Sequence, residues 1–240
     1  MKEFVLAIFS IFALNSLWAQ DNIVVTSSES RPIKESLERF SAIDVDAPIK
    51  LKLTKIADDQ TPYIIFDTKG DYTTKFSAVV DAKSSTLKIS ERADAKRVTV
   101  TEVHLFFNTL SSITIAKADT TIDGVIDAQL LDVTVTNNAH LTAEINVLDL
   151  KLYISGKSRV VLRGNTQYQS ADISTAEYNG RDLYAKSTIV ESLHNAVVRV
   201  DASERLEIRT VTGGRVYYYS VPPILRTEIT TFGGEIVLIQ

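Results

Sequence analysis

The chain of 240 residues contains no cysteine. That excludes disulfides, thiolate metal sites, a cysteine nucleophile and lipid attachment through a cysteine. Methionine and tryptophan occur once each, as Met1 and Trp18. Positive charge is not in excess: 26 Lys and Arg against 30 Asp and Glu leave a net charge of −4. Nothing is there to neutralise a phosphate backbone, so nucleic acid is not an expected partner. Proline is confined to Pro32, Pro48 and Pro62 near the start and Pro222–Pro223 near the end, with none between Tyr63 and Val221. Proline removes a ladder donor, so this long proline-free block suits a continuous hydrogen-bonded sheet. What remains, 45% hydrophobic and 23% charged, is the balance of an ordinary globular chain.

Residues 1–20 read MKEFVLAIFSIFALNSLWAQ. A weakly positive start, an apolar run from Phe4 to Leu14, a polar break at Asn15–Ser16 and a small residue at Ala19 are the layout of a secretory signal peptide. The run is shorter than the roughly 20 residues that span a bilayer, and no later one is longer. The expected mature chain, 21–240, is exported, periplasmic or associated with the cell surface or outer membrane, and has no transmembrane segment. It keeps its net charge, because Lys2 and Glu3 cancel.

Beyond Asp21, short segments alternate apolar with polar residues, as in IKLKL (Ile49–Leu53), TLKIS (Thr86–Ser90), RVTVTEVHLFF (Arg97–Phe107) and DVTVT (Asp132–Thr136). That period of two marks strands. One stretch after Pro32, PIKESLERF, has a helical look but is too short to stand alone, and is read as a strand or a single turn.

From Leu110 onward the sequence repeats in units, most of 18–21 residues, starting at Leu110, Leu130, Leu148, Tyr168, Ile189, Glu204 and Ile224. Each unit holds two alternating strands and a polar corner. Corners are expected at Asn137–Ala139, Ser155–Ser158, Glu177–Gly180, Leu193–Asn195, Thr212–Gly214 and Phe232–Gly234, where Gly and Asn accept positive φ. The expected fold class is all-β: a β-solenoid of about seven stacked coils over 110–240, with an irregular β half over 21–109, forming one domain. Val133, Val135, Leu141 and Ile145 point inward in one coil, and Leu150, Leu152, Ile154, Val160 and Leu162 in the next. Four such side chains stabilise a coil by roughly 6–12 kcal/mol. Ordering about 19 residues costs more, at about 1–2 kcal/mol each, so a coil stands only when stacked. An antiparallel sandwich is the competing architecture, but whole units recur here rather than single strands.

The segment LERFSAIDVDAPIKLKLT (Leu37–Thr54), the strand TLKIS, and the units YISGKSRVVL (Tyr153–Leu162), TVTGGRVYY (Thr210–Tyr218) and TTFGGEIVL (Thr230–Leu238) resemble a family of exported bacterial proteins. These are the putative auto-transporter adhesins with a head GIN domain. The resemblance spans roughly 35–240 and implies a β-helix-like solenoid. This chain has fewer Ser-Gly turns than the family pattern, with Asn, Tyr and His near the corners of its second, fourth and fifth units. The family name implies adhesion and supplies no catalytic residue.

No constellation of catalytic residues stands out. His104, His140 and His194 are 36 and 54 residues apart; if stacked in one column they lie roughly 10 and 14 Å apart, too far to share a metal. No nucleophile elbow occurs. Asp132, Asp149, Asp172, Glu207 and Glu228 precede or open strands, with Lys151, Arg205, Arg209 and Arg226 close by. Either they form a solvated, charge-mixed face, or an acidic column that holds a cation or works on a polysaccharide. Tyr217, Tyr218 and Tyr219 form the densest aromatic cluster, with Tyr218 expected inward. The candidate binding surface is Tyr217, Tyr219, Tyr153 and Tyr184 with Asp149 and Asp172. The functional expectation is a non-enzymatic envelope protein without cofactor or metal, binding an extracellular or envelope ligand, glycan or protein. A polysaccharide-processing β-helix enzyme and a purely structural envelope protein are the alternatives. The processed chain lacks Trp18, so it should show tyrosine but no tryptophan fluorescence; tryptophan emission from the exported protein would show that the leader is retained.

Overall fold

The computed structural model describes residues 32–69, 75–92, 99–230 and 233–239. The expected leader, Gly70–Tyr72 of one long loop and Phe232 of the last corner lie outside the described residues. Eighteen strands are formed and, among the described residues, no helix. The PIKESLERF stretch supplies β1 (Ile33–Ser36). It is followed by β2 (Ala42–Asp46), β3 (Lys50–Lys55), β4 (Tyr63–Asp67), β5 (Lys75–Asp81) and β6 (Thr86–Arg92). Next come β7 (Glu102–Phe107), β8 (Ser112–Ala116) and three long strands, β9 (Asp119–Thr136), β10 (His140–Ser155) and β11 (Arg159–Ser174). The chain closes with β12 (Glu177–Asn179), β13 (Leu183–Leu193), β14 (Val197–Val200), β15 (Arg205–Val211), β16 (Arg215–Tyr218), β17 (Ile224–Ile229) and β18 (Glu235–Leu238).

From β8 to β18 every pairing is parallel. Partners are one coil apart in sequence: His140 lies beside Arg159, Ser187 beside Arg205, and Val197 beside Arg215. Seven coils stack in this way, a β-solenoid rather than a sandwich. One layer runs β8, the second halves of β9, β10 and β11, then β13, β15 and β17. The other runs through the first halves of β9, β10 and β11, then β12, β14, β16 and β18. Alternation decides what is inside. Val133, Val135, Leu141, Ile145, Leu150, Leu152, Ile154, Val160 and Leu162 are all buried.

The first third of the chain departs from simple succession. β2 is inserted between β6 and β8, and β3 between β7 and β9, all in parallel. Antiparallel pairing occurs only outside these coils: β5 covers β6, while β4 and then β1 cover β7. These antiparallel strands cover the N-terminal end of the ladder, where Phe66 stacks on Phe76 at 4.5 Å.

Two kinds of corner turn each coil. At one, left-handed residues follow one another: Asn137–Asn138, Gly156–Lys157, His194–Asn195 and Thr212–Gly213. The fourth coil differs from expectation, because Glu177–Asn179 is strand β12 and the corner is Thr175, with φ 53°. Tyr178 instead points inward, where its hydroxyl accepts a hydrogen bond from Gln169 Nε2 at 2.7 Å. Burial pushes that phenol up, well beyond its ordinary titration range. A Cβ on Gly180 would meet the same hydroxyl at 2.3 Å, so glycine is required there by space.

At the opposite corner the long strands bend without breaking. In β10 odd positions are buried through Val147 and even ones from Leu150, so Leu148 and Asp149 both face outward. The same slip of phase occurs at Gln129–Leu130, Gln167–Tyr168 and Lys186–Ser187. It leaves a short third strip, with 125–128, 144–147, 164–166 and 183–185 in register.

Leu152 is 3% exposed, and truncation at such a site alone costs about 2–5 kcal/mol. Leu152→Asp adds an unpaired buried charge, so calorimetry should find the melting temperature lowered by at least about 10 °C. Gly164 has φ 108° and would place a Cβ 2.1 Å from the Ile145 carbonyl oxygen; Gly124, at φ 99°, meets only the Lys55 side chain at 3.3 Å. Gly164→Ala should therefore destabilise more than Gly124→Ala, whose cost is about 1–3 kcal/mol of backbone strain, as denaturant titration of the two variants will show.

Candidate binding surface

The six residues singled out from sequence do not form one patch. Tyr153 and Asp172 are register partners on the outer face of the layer built by the second halves of the long strands. Asp149 lies in a separate column of that face, beside Leu130 and Tyr168. Tyr217 sits on the other layer, with the Arg199 guanidinium 5.6 Å from its ring centre. Tyr219 carries the Arg181 guanidinium at 4.7 Å, and Tyr184 stands 76% exposed on the third strip. Tyr218 is half-buried against the core, facing inward as its alternation implies.

Register also separates the acidic residues. Asp132 and Glu207 belong to a column that reads Asp132, Lys151, Ser170, Ile189, Glu207, Arg226. Asp172 and Glu228 belong to another, with Glu191 and Arg209 between them. Two of the carboxylates in these columns are met by cations: Arg205 and Arg226 reach Glu207 at 2.7 and 2.9 Å, and Arg209 reaches Glu191 at 2.8 Å. Hydrogen bonding from Arg205 first, then the charges of both arginines, holds the Glu207 carboxyl below the usual range. The face is charge-mixed. Asp149 and Asp172 are one coil and four residues along the strand apart, roughly 14 Å. Paired glycosidase carboxylates stand about 5–10 Å apart.

The histidines share no column either. His104 accepts or donates a 2.8 Å hydrogen bond with Thr54 Oγ1, and its burial lowers its pKa. His140 pairs with Asp119 at 4.0 Å, and His194 occupies a corner, 3.0 Å from Ser174 Oγ. Among the described residues no group of three or more His, Asp or Glu is placed to hold a metal.

One concave feature among the described residues is the third strip. A trough of about 710 Å³ runs along the stacking direction from Ala128 to Ser220. At the ladder spacing, this length is roughly 24 Å. Along its floor runs the column Ala128, Val147, Thr166 and Ala185, whose side chains turn inward. One wall is the outward column Asn146, Asn165 and Tyr184, which Asp127 continues beyond the trough. Gln129, Leu148, Gln167 and Lys186 form the other. Lys55 holds Asp127 at 2.7 Å and Asn146 Nδ2 donates to it at 3.2 Å; these two hydrogen bonds keep the carboxyl below its ordinary value. Asn165 and Gln167 remain exposed, and each amide offers both donors and an acceptor. The far end is built by Arg181 on Tyr219, and by Ser220, whose hydroxyl donates to Asp201 at 2.6 Å.

Of the residues expected from sequence, the structure brings Tyr184 to this trough, sets Tyr219 behind Arg181 at its end, and leaves Tyr153, Tyr217, Asp149 and Asp172 outside it. The amides were missed. Their signal is an amide recurring at one or two coil lengths beside the break in alternation: Asn146 and Asn165 are 19 residues apart, Gln129 and Gln167 are 38.

Parallel stacking, a covered N-terminal end and an open lateral trough define a β-solenoid with a surface suited to extended ligands rather than an enclosed pocket. The comparisons give that class its name. The chain belongs to the family described as putative auto-transporter adhesin, head GIN domain, whose model matches residues 39–222. No curated protein matches it. A putative adhesin from Bacteroides fragilis NCTC 9343 superposes with a TM-score of 0.76 at 16% identity, covering 89% of this chain and 99% of that one. A putative adhesin from Parabacteroides merdae ATCC 43184 gives 0.64 at 16% identity, covering 86% and 95%. A protein from Parabacteroides distasonis ATCC 8503 named as a putative lipid binding protein gives 0.61 at 13%, covering 86% and 96%. At these identities the likeness is one of fold.

Proposed function

We propose that the protein is an exported, non-enzymatic adhesin of the bacterial envelope, and that its trough holds a glycan strand. The carrying observation is a trough along the stacking direction with amides on both walls, Asn146 and Asn165 on one and Gln129 and Gln167 on the other. A linear glycan presents hydroxyls at intervals along one direction. Asn165 and Gln167 can donate to and accept from such hydroxyls. Tyr184 offers an aromatic face for the apolar side of a sugar ring. The family name supports adhesion, and the expected leader supports export to the periplasm or cell surface. The spread of the carboxylates supports binding without turnover.

Glycan-array screening followed by calorimetry tests this. Tyr184→Ala and Asn165→Ala should each weaken binding by about 5–10-fold, on the order of 1 kcal/mol for one lost contact. Tyr153→Ala, on the separate sheet face, should leave affinity unchanged, and the recovered glycan should keep its length. Equal loss from Tyr153→Ala would move the site to that face. Binding to phospholipid vesicles with no glycan bound would replace the sugar by a lipid, and shortening of the glycan would make the protein an enzyme.

A further inference from the structure

The last rung of the solenoid is paired on one side only. β17 bonds to β15, and among the described residues no strand lies along its other edge. The direction of its polar groups follows from two bonds. The Ile224 N–H donates to the Glu204 carbonyl at 3.2 Å, and the Thr230 N–H to the Thr210 carbonyl at 2.9 Å. Even-numbered residues thus turn toward β15, and Leu225, Thr227 and Ile229 point their N–H and C=O groups at the open edge. In the second layer, the Glu235 N–H donates to the carbonyl of Gly214, just before β16, and the Ile239 N–H to that of Tyr218, which leaves Ile236 and Leu238 open at the same end.

The side chains tell the same story. Leu206, Ile208 and Thr210 of β15 are buried, but their register partners Leu225, Thr227 and Ile229 are half-buried or exposed, Ile229 at 55%. Chemically, Leu225-Arg226-Thr227-Glu228-Ile229 reads alike in both directions. Laid antiparallel on a second β17 with Thr227 opposite Thr227, it sets Leu225 against Ile229 and Arg226 against Glu228. Residues with open polar groups then face one another and form about six ladder hydrogen bonds. The charged pairs fall at the non-hydrogen-bonded positions, where side chains approach most closely.

We propose that this edge is a self-association site: two copies of the chain join end to end through antiparallel β17 strands, about a twofold axis at Thr227. The partner is a second copy because the strand complements itself in hydrogen bonding, in apolar contacts and in charge. An isologous contact of this kind closes at two.

Light scattering and sedimentation of the purified protein should give twice the monomer mass. Thr227→Pro should give a folded monomer with wild-type β signal, since that N–H serves only the open edge. Arg226→Glu should raise the dimer dissociation constant at least tenfold, and the swap Arg226→Glu/Glu228→Arg should restore it. Melting curves of each variant check that loss of the Arg226–Glu207 pair within the chain has not unfolded the coil. The chain lacks cysteine, so Thr227→Cys tests the axis directly: that residue alone meets its own copy, and mild oxidation should give a disulfide-linked dimer. A monomer at all concentrations overturns the proposal. So does a dimer that survives Thr227→Pro and is not cross-linked through position 227, which would be joined head to tail or by another face.

Discussion

The parallel ladder between coils is the interaction on which everything else depends. A coil has no sheet partner within itself; its N–H and C=O groups are satisfied only by the coils before and after it. Two conditions follow. Each coil must return to the same ladder position after 18 to 21 residues, and it must return with the same parity, because a slip of one residue exchanges inside for outside. Length varies where parity is safe. Corners absorb the variation through left-handed residues, from Asn137 and Asn138 to Thr212 and Gly213, and β9 absorbs it through the bulge opposite Thr142–Glu144. The order of coils can even depart from the order of the chain, as β2 and β3 do, because the ladder recognises register and not sequence neighbours.

That constraint explains what was legible. Inward positions such as Leu150, Leu152 and Ile154 could be read because alternation is local. The stacking could be read because whole units recur. The fourth corner could not, since Thr175 carries no Gly or Asn signal while the neighbouring Tyr-Asn-Gly does. That glycine serves the Tyr178 ring instead. Insertion of β2 and β3 was hidden as well: their sequences suit any central rung, and only the antiparallel cover by β1, β4 and β5 determines which rungs lie at the end.

The binding surface was half legible for the same reason. Exposure of Tyr153 and Tyr184 follows from parity, but which exposed residues share a column depends on the spacing of each coil to within one residue. Asp149 and Asp172 look equivalent in the repeat and fall in different columns. Asn146 and Asn165 look unrelated and are neighbours. The trough arises from a further feature invisible to composition, the double outward dipeptide that bends a strand without ending it.

Sides and ends of a solenoid answer to different physics. Along the sides, backbone groups are already bonded, and what is offered to solvent is side chains such as Asn165 and Tyr184. At an end, the backbone itself is available, and an unprotected edge invites indiscriminate pairing. β17 carries a restraint on this. Only registers that oppose odd-numbered residues match the open polar groups. Moving the axis from Thr227 to Arg226 sets arginine against arginine, and moving it to Glu228 sets glutamate against glutamate, each at the closest side-chain approach. Two opposite charges flanking a neutral residue therefore select one register and penalise its neighbours on both sides. A strand meant only to repel would carry charges of one sign.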